Sequence, residues 1–291
     1  GMDLGLDVKA FNNKFNAEIN LYDRTTKDIL TILTLPATDD RYFTNLGEIT
    51  NRGIEVSMGW NNQIDDLRYG INANYSYNKN FVNSIGDNVN FKILGNDGAN
   101  VTETGQSIGY FYGYKQIGIY QTIDDIENMA IQPGSAPGDI AFADMDGDGA
   151  ITEKDRTYLG TPFPPHNFGI NFTLGYKGFD LQLEGNGVAG NKIYAQRRTR
   201  NFADLNYEVN RLDAWTGPGS SNVEPILDNS RGNNYKFSSY FLEPGDFFRI
   251  RTVQLGYSFN DDLLARTFIR KARLLVNVQN LKTWSKVTVY T

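Results

Sequence analysis

Apolar and polar residues alternate along much of this chain. Leu4, Leu6, Val8 and Ala10 share one side of the first segment, with Asp7 and Lys9 on the other. A period of two is the signature of a β-strand with one apolar face. Asn12-Asn13 follows, and Asn tolerates the positive φ that a tight turn requires. Phe15, Ala17, Ile19 and Leu21 then alternate with Asn16, Glu18 and Asn20. The two segments predict a hairpin with one apolar and one polar face.

The pattern recurs. Ile54, Val56, Met58 and Trp60 alternate with polar or small residues, and Asn61-Asn62 is expected to begin the next turn. Leu67, Tyr69, Ile71, Ala73, Tyr75 and Tyr77 alternate with Arg68, Gly70, Asn72, Asn74 and Ser76. Phe168 to Tyr176, the turn at Lys177-Gly178, and Phe179 to Leu183 form another pair. Val253 to Phe259 and Ala272 to Val278 close the series. The pattern predicts an all-β protein, an antiparallel meander of about ten strands. Short helices are expected at 122–127, where Thr122 can cap and acids fill the first turn, at 261–266 and over 202–215. Residues 185–245 read as one long irregular loop. Tight turns therefore alternate with connections tens of residues long, the asymmetry of a membrane barrel.

Membrane strands need about 9–11 tilted residues, whereas soluble strands average about 5–6. Several segments reach the longer figure, with Trp60, Tyr77, Tyr176 and Phe259 at their ends, as in an interfacial girdle. The alternation by itself fits a transmembrane barrel and a half-buried soluble β-domain alike.

Composition narrows the picture little. The chain has 291 residues and a net charge of -6, which argues against a nucleic-acid partner. It has no Cys, hence no disulfide or thiolate chemistry. No apolar run approaches roughly 18 residues, so no transmembrane helix is predicted. A mean hydropathy of -0.45 does not exclude a barrel, because lumen-facing positions keep the average polar. Gly1-Met2 has the look of a cloning remnant, and the chain is expected to be an excised fragment.

One stretch stands apart: DMDGDGAITEKD, residues 144–155. Its spacing fits the twelve-residue loop of a calcium hand. Asp144, Asp146 and Asp148 fall at positions 1, 3 and 5, with Gly149 at the sharp turn. The Ala150 carbonyl falls at 7, Ile151 packs inward at 8, Thr152 falls at 9 and Asp155 at 12. Hard oxygen donors at this spacing suit Ca2+, and Asp in place of Glu at position 12 admits Mg2+ as well. The flanks, "APGDIAFA" and "RTYLGTPFPP", are not helical, so the loop is expected to be a structural staple rather than a sensor. An acidic solvated turn is the plain alternative.

Other constellations are weaker. His166 is the one histidine and reads as a surface or capping residue. The Gly-rich stretches 95–98 and 185–190 lack phosphate-cradle spacing and read as turns. Arg197, Arg198 and Arg200 form a local basic patch. No carboxylate pair is singled out for glycoside chemistry, and no enzyme is expected.

Several stretches, in order, resemble the SusC/RagA family of TonB-dependent outer-membrane transporters. They are FNNKFNAEINLYDRTTKDIL (11–30), NLGEITNRGIEVSM (45–58), PGDIAFADMDGDGAITEKDRTYLGTPFP (137–164), YFLEPGDFFRIRTVQLGYSF (240–259) and ARLLVNVQNLKTWS (272–285). The resemblance implies the C-terminal part of a transmembrane barrel in the outer membrane, without plug or last strands. It implies import of oligosaccharides or peptides with a SusD-like lipoprotein, driven by TonB through an N-terminal part. It carries Asp144, Asp146, Asp148, Ala150, Thr152 and Asp155 over as ligands of a structural Ca2+. The competing reading is a soluble calcium-binding β-module, an adhesin or carbohydrate binder; a glycan-active β-enzyme is a third.

Overall fold

The computed structural model describes residues 1–34, 41–85, 93–94, 98–195, 209–260, 264–265 and 268–287. The chain divides into two units. The first comprises residues 1–87, 163–191 and 245–286; the second comprises 88–162, 192–244 and 287–291.

The first unit is one antiparallel sheet. Its strands are β1 (Met2–Ala10), β2 (Phe15–Thr34), β3 (Arg41–Ile64), β4 (Leu67–Ile85), β5 (His166–Tyr176), β6 (Phe179–Ala189), β7 (Phe247–Ser258) and β8 (Arg273–Ser285), paired in that order. Among the described residues no pairing joins β1 to β8. The expected antiparallel meander is present, with eight strands in this sheet. Strands β2, β3 and β4 are long, at 20, 24 and 19 residues. Register shifts between Thr26 and Ile29, with Asp28 at φ 55°, interrupt the alternation without ending the strand. Bulges of this kind add a residue and increase twist while pairing continues.

Tight turns close one end of the sheet. Phe11, Asn12 and Asn13 take φ of 54°, 55° and 62°, and Lys177-Gly178 takes 44° and 88°, as expected. Asn61-Asn62 is not a turn. Both residues lie inside β3, where Asn62 Nδ2 donates to Tyr69 Oη at 3.0 Å, and the chain reverses at Asp65 (φ 50°). Residues 185–189 are likewise strand, in register with β5 and β7, so the long connection begins at Gly190.

Cross-strand register lines the apolar positions into continuous rows. Leu6 faces Ile19, Ile19 faces Val56, Val56 faces Tyr75 and Tyr75 faces Phe168. A second row runs Val8, Ala17, Met58, Ala73 and Ile170. Among the described residues these rows meet no second layer. Met58 and Leu255 are each 51% exposed, and Val82 and Ile85 are the buried apolar side chains of this unit among the described residues. A soluble sheet must bury its apolar face against another element; this one leaves it bare. Along β4 the apolar face spans Leu67 to Tyr77, eleven residues and enough for one crossing. Beyond it, at the next positions on that face, sit Lys79, Arg52 and Asp23, with Arg52 paired to Asp23 at 2.5 Å. At the turn end, Phe11 and Trp60 lie 5.7 Å apart, and Phe179 and Tyr257 4.5 Å. The apolar band thus ends in charge at one side and aromatics at the other, as a lipid-facing band does.

The second unit is inserted between β4 and β5 and between β6 and β7. Unlike the sheet it has a core: Tyr114, Ile119, Ile140, Phe142, Ile151, Tyr240 and Phe241 are buried together. Tyr114 stacks on Phe142 at 4.9 Å. Each such side chain contributes about 1.5–3 kcal/mol on burial. The expected helix at 122 is present: α1 (Ile123–Asn128) starts at Thr122, whose Oγ1 accepts from the Asp125 amide while the Asp125 carboxylate accepts from the Thr122 amide. Over the region expected as a helix at 202–215, Val209–Asp213 is a 3-10 turn; 202–208 lie outside the described residues. So do 95–97, the basic patch at 197–200, and most of 261–266.

Candidate functional site

The acidic loop belongs to the inserted unit. Its flanks are a short strand, Ile140–Phe142, and a 3-10 turn, Glu153–Asp155, followed by strand Thr157–Gly160, so no helix pair frames it. Within the loop, carboxylate oxygens of Asp144, Asp146 and Asp148 lie within 4.8 Å of one another. Backbone amides hold them in place. Asp144 accepts from Gly147 at 2.7 Å and Gly149 at 2.9 Å, Asp146 from Asp148 at 3.2 Å, and Asp148 from Ala150 at 2.9 Å. Gly147 and Gly149 take φ of 75° and 83°, a conformation in which a side chain would be strained.

A parallel bridge anchors the loop from outside. Ile131 donates to the Gly149 carbonyl and accepts from the Ile151 amide, both at 2.8 Å. It consumes the groups on either side of Ala150 and leaves the Ala150 carbonyl to the loop. Ile151 is buried in the core, as position 8 requires. The next residue after Ile131 is also tied down: Gln132 is buried, bonding Ile140 O and the Phe142 amide.

Thr152 and Asp155 are engaged differently from the three leading acids. Thr152 caps the 3-10 turn through the Lys154 amide, and Asp155 returns a bond to the Thr152 amide at 2.7 Å. The other Asp155 oxygen accepts from Met145 at 2.7 Å. Asp155 is fully buried. Burial pushes its carboxyl pKa up, but the amides of Thr152, Met145 and Asp146 and the contact with Asp144 together hold it below the usual value. Position 12 therefore closes the loop, while positions 1, 3 and 5 converge. The donor set, three carboxylates and a carbonyl, is hard oxygen, and it fits a Ca2+ or Mg2+ ion.

Two buried polar clusters in the same unit are not evident from sequence pattern. Asp139, of the Pro-Gly-Asp run, is fully buried; it accepts from Ala136, Asn234 and Arg231. Burial raises its pKa against those bonds. Arg211 donates to Tyr240 Oη at 2.8 Å and lies 3.6 Å from Glu224, which also accepts from Tyr240 at 2.6 Å. Tyr114, desolvated in the core and bonded to Glu153, has its pKa pushed up to about 12.

In the sheet, the face opposite the apolar rows is a wall of amides. Asn16, Asn72, Asn171 and Glu184 occupy equivalent levels on successive strands, with Gly59 between the first two. A Cβ on Gly59 would collide with the side chains of Asn16 and Asn72, so the glycine lets both amides lie flat. Two recesses mark this face, of about 730 and 580 Å³. Gln182 donates to Glu184 at 2.7 Å, and Arg273 pairs with Asp180 at 2.6 Å. His166 begins β5 on the opposite, apolar face, and its Nδ1 bonds Tyr75 Oη at 2.8 Å; it is a strand-end residue.

A sheet with one bare apolar face, one amide-lined face and tight turns at one end is that of a transmembrane β-barrel segment. The sequence profile described as TonB dependent receptor-like, beta-barrel, matches residues 1–281, and the chain belongs to that family of outer-membrane proteins. It is 30% identical to TonB-dependent receptor P3 of Formosa agariphila over 98% of its own length and 29% of that protein. It is 24% identical to TonB-dependent receptor SusC of Bacteroides thetaiotaomicron, over 95% of this chain and 27% of SusC. A solved structure of the RagAB peptide transporter superposes with a TM-score of 0.81 at 24% identity, covering 98% of this chain and 32% of the other. The chain thus spans about 30% of the length of these relatives.

Proposed function

We propose that the intact protein imports oligosaccharides or peptides across the outer membrane. A SusD-like lipoprotein captures the cargo outside, and TonB supplies the energy through a part of the protein N-terminal to this chain. The observation that carries the reading is the bare apolar face set against an amide wall: the first suits lipid, the second a wet passage. The likeness to SusC and to the RagAB peptide transporter supports the two-component, energised form. Uptake of labelled oligopeptides and oligosaccharides by cells tests it. Import is expected to vanish when either the protein or TonB is removed; import that persists without TonB contradicts it.

The loop at 144–155 serves this function as a calcium staple. Three carboxylates within 4.8 Å of one another crowd like groups together, and a cation among them offsets that crowding. Asp144, Asp146, Asp148 and the Ala150 carbonyl are the direct donors; Thr152 and Asp155 close the ring behind them. The ion supplies positive charge that fixes the loop, and so fixes the Ile131 bridge. Asp144→Ala is expected to weaken Ca2+ binding by roughly tenfold or more, since ligand charge count sets affinity in such loops. Calorimetry on the purified protein checks this, and an unchanged affinity removes the assignment. A Mg2+ titration alongside decides which ion is preferred.

A further inference from the structure

Strand β7 carries a charge that its neighbours do not neutralise. Against β6, Glu184 faces Thr252 and Gly185 faces Ile250, so Arg251 is an extra residue with no partner position. Against β8, Ile250 faces Lys282 and Thr252 faces Gln279, with Asn280 at φ 53°. Two register shifts therefore fall at one level, on both sides of the same strand. A bulge re-aims the side chain it carries. In regular alternation Arg251 would share a face with Leu255 and Val253, toward lipid. It lines instead the recess of about 580 Å³ on the amide face, together with Asn72, Asn74, Asn171, Glu184 and Asn186.

Arg251 is exposed, and it makes no hydrogen bond or ion pair among the described residues. The other charged groups at this level bond neutral partners. Glu184 accepts from Gln182 at 2.7 Å and from Asn171 at 3.5 Å, and Arg249 donates to Thr283 at 3.0 Å. An unpaired guanidinium in a membrane-crossing strand, turned from lipid to the wet side, marks a ligand path.

We infer that Arg251 is a specificity-determining residue that anchors a carboxylate of the cargo on the inner wall. The inference rests on the import reading above and deepens it. The guanidinium fork matches a carboxylate in a two-pronged geometry that an ammonium cannot reproduce. The amides around it donate and accept at once, as peptide groups do. Glu184 in the same recess offers a second, opposite charge. Anion, amides and cation together are the inventory of a peptide, and the cargo favoured here is an acidic or free-carboxylate oligopeptide. A uronate-bearing oligosaccharide shares the carboxylate and forms the other arm of the test.

The test is ligand binding to the intact protein purified in detergent, independent of transport. The probes are acetyl-Glu-Ala-Glu-amide, its Gln counterpart, trigalacturonate and neutral galactotriose. The wild-type protein is expected to prefer the acidic peptide. Arg251→Gln is expected to weaken that binding by roughly tenfold or more, the size of a lost charge-assisted bond, and to leave the Gln peptide within about twofold. Arg251→Lys is expected to restore only part of the loss. Acidic-peptide binding unchanged in Arg251→Gln overturns the inference, as does a wild-type protein that binds no acidic probe. A preference confined to trigalacturonate keeps the anchor and overturns the peptide assignment. Cellular uptake without TonB would undo the import reading separately, because it does not alter these affinities.

Discussion

Arg211→Ala is expected to destabilise the inserted unit by about 3–5 kcal/mol, the cost of leaving a buried charge without its partner. The Arg211 and Glu224 side chains are 4% and 8% exposed. Glu224 would retain its bonds from Tyr240 at 2.6 Å and Asn210 at 2.9 Å, but no positive charge. Amide hydrogen exchange over residues 209–244 reads the effect: protection is expected to fall sharply there and to hold in β5 and β6. Replacing both partners by apolar residues, Arg211→Met with Glu224→Leu, is expected to recover much of the loss, because an apolar pair carries no desolvation penalty. Wild-type exchange in Arg211→Ala would show that the pair is not buried in solution.

The second large effect concerns the two faces of β4. Ala73→Arg puts a charge in the middle of the apolar row between Met58 and Ile170, and is expected to cost about 2–4 kcal/mol on the lipid face near the bilayer centre. Asn74→Arg, one residue on, enters the amide wall and is expected to cost little. Denaturant unfolding of the protein from bilayers checks the pair. Equal costs, or a larger cost at Asn74, would mean the faces are assigned the wrong way round.

The sheet itself was legible because its cause is local. Alternation at Leu67 to Tyr77 or Phe168 to Tyr176 follows from which side chains meet lipid, and that is written residue by residue. Lys177-Gly178 and the Thr122 cap were legible for the same reason: turn and cap chemistry depends on neighbours in sequence. Asn61-Asn62 misled because Asn tolerates positive φ without requiring it; the turn fell to Asp65, where β3 and β4 run out of partners. At Asp28 a bulge breaks the period but not the ladder.

The acidic loop was legible in its leading acids and only partly in its closing ones. Asp144, Asp146 and Asp148 converge as their spacing requires. Asp155 turned out to be bonded to Met145 and Thr152 amides, a role set by the 3-10 turn that follows and not by the spacing. Ile131 carried no sequence signal, since its part is a backbone bridge to a loop many residues away. Asp139, Arg211 and Glu224 carried no distinguishing pattern in sequence, and their burial comes from chain segments that meet only in the folded unit. The nearest available clue was the Pro-Gly-Asp run, whose Gly138 takes φ 93° and sets Asp139 inward. Arg251 precedes the apolar row that starts at Val253, and only the paired register shifts show where it is aimed.

The most direct measurement of the central claim uses the absence of cysteine in this chain. Single substitutions Ile71→Cys, Asn72→Cys, Ala73→Cys, Asn74→Cys and Tyr75→Cys, each spin-labelled in liposomes in the intact protein with every cysteine outside this chain replaced by Ser, report whether lipid or water surrounds each position. Collision with oxygen is expected to be high at 71, 73 and 75 and low at 72 and 74, with a water-soluble nickel complex giving the reverse. The opposite phase, or water at all five positions, would contradict a lipid-facing sheet with a wet inner wall.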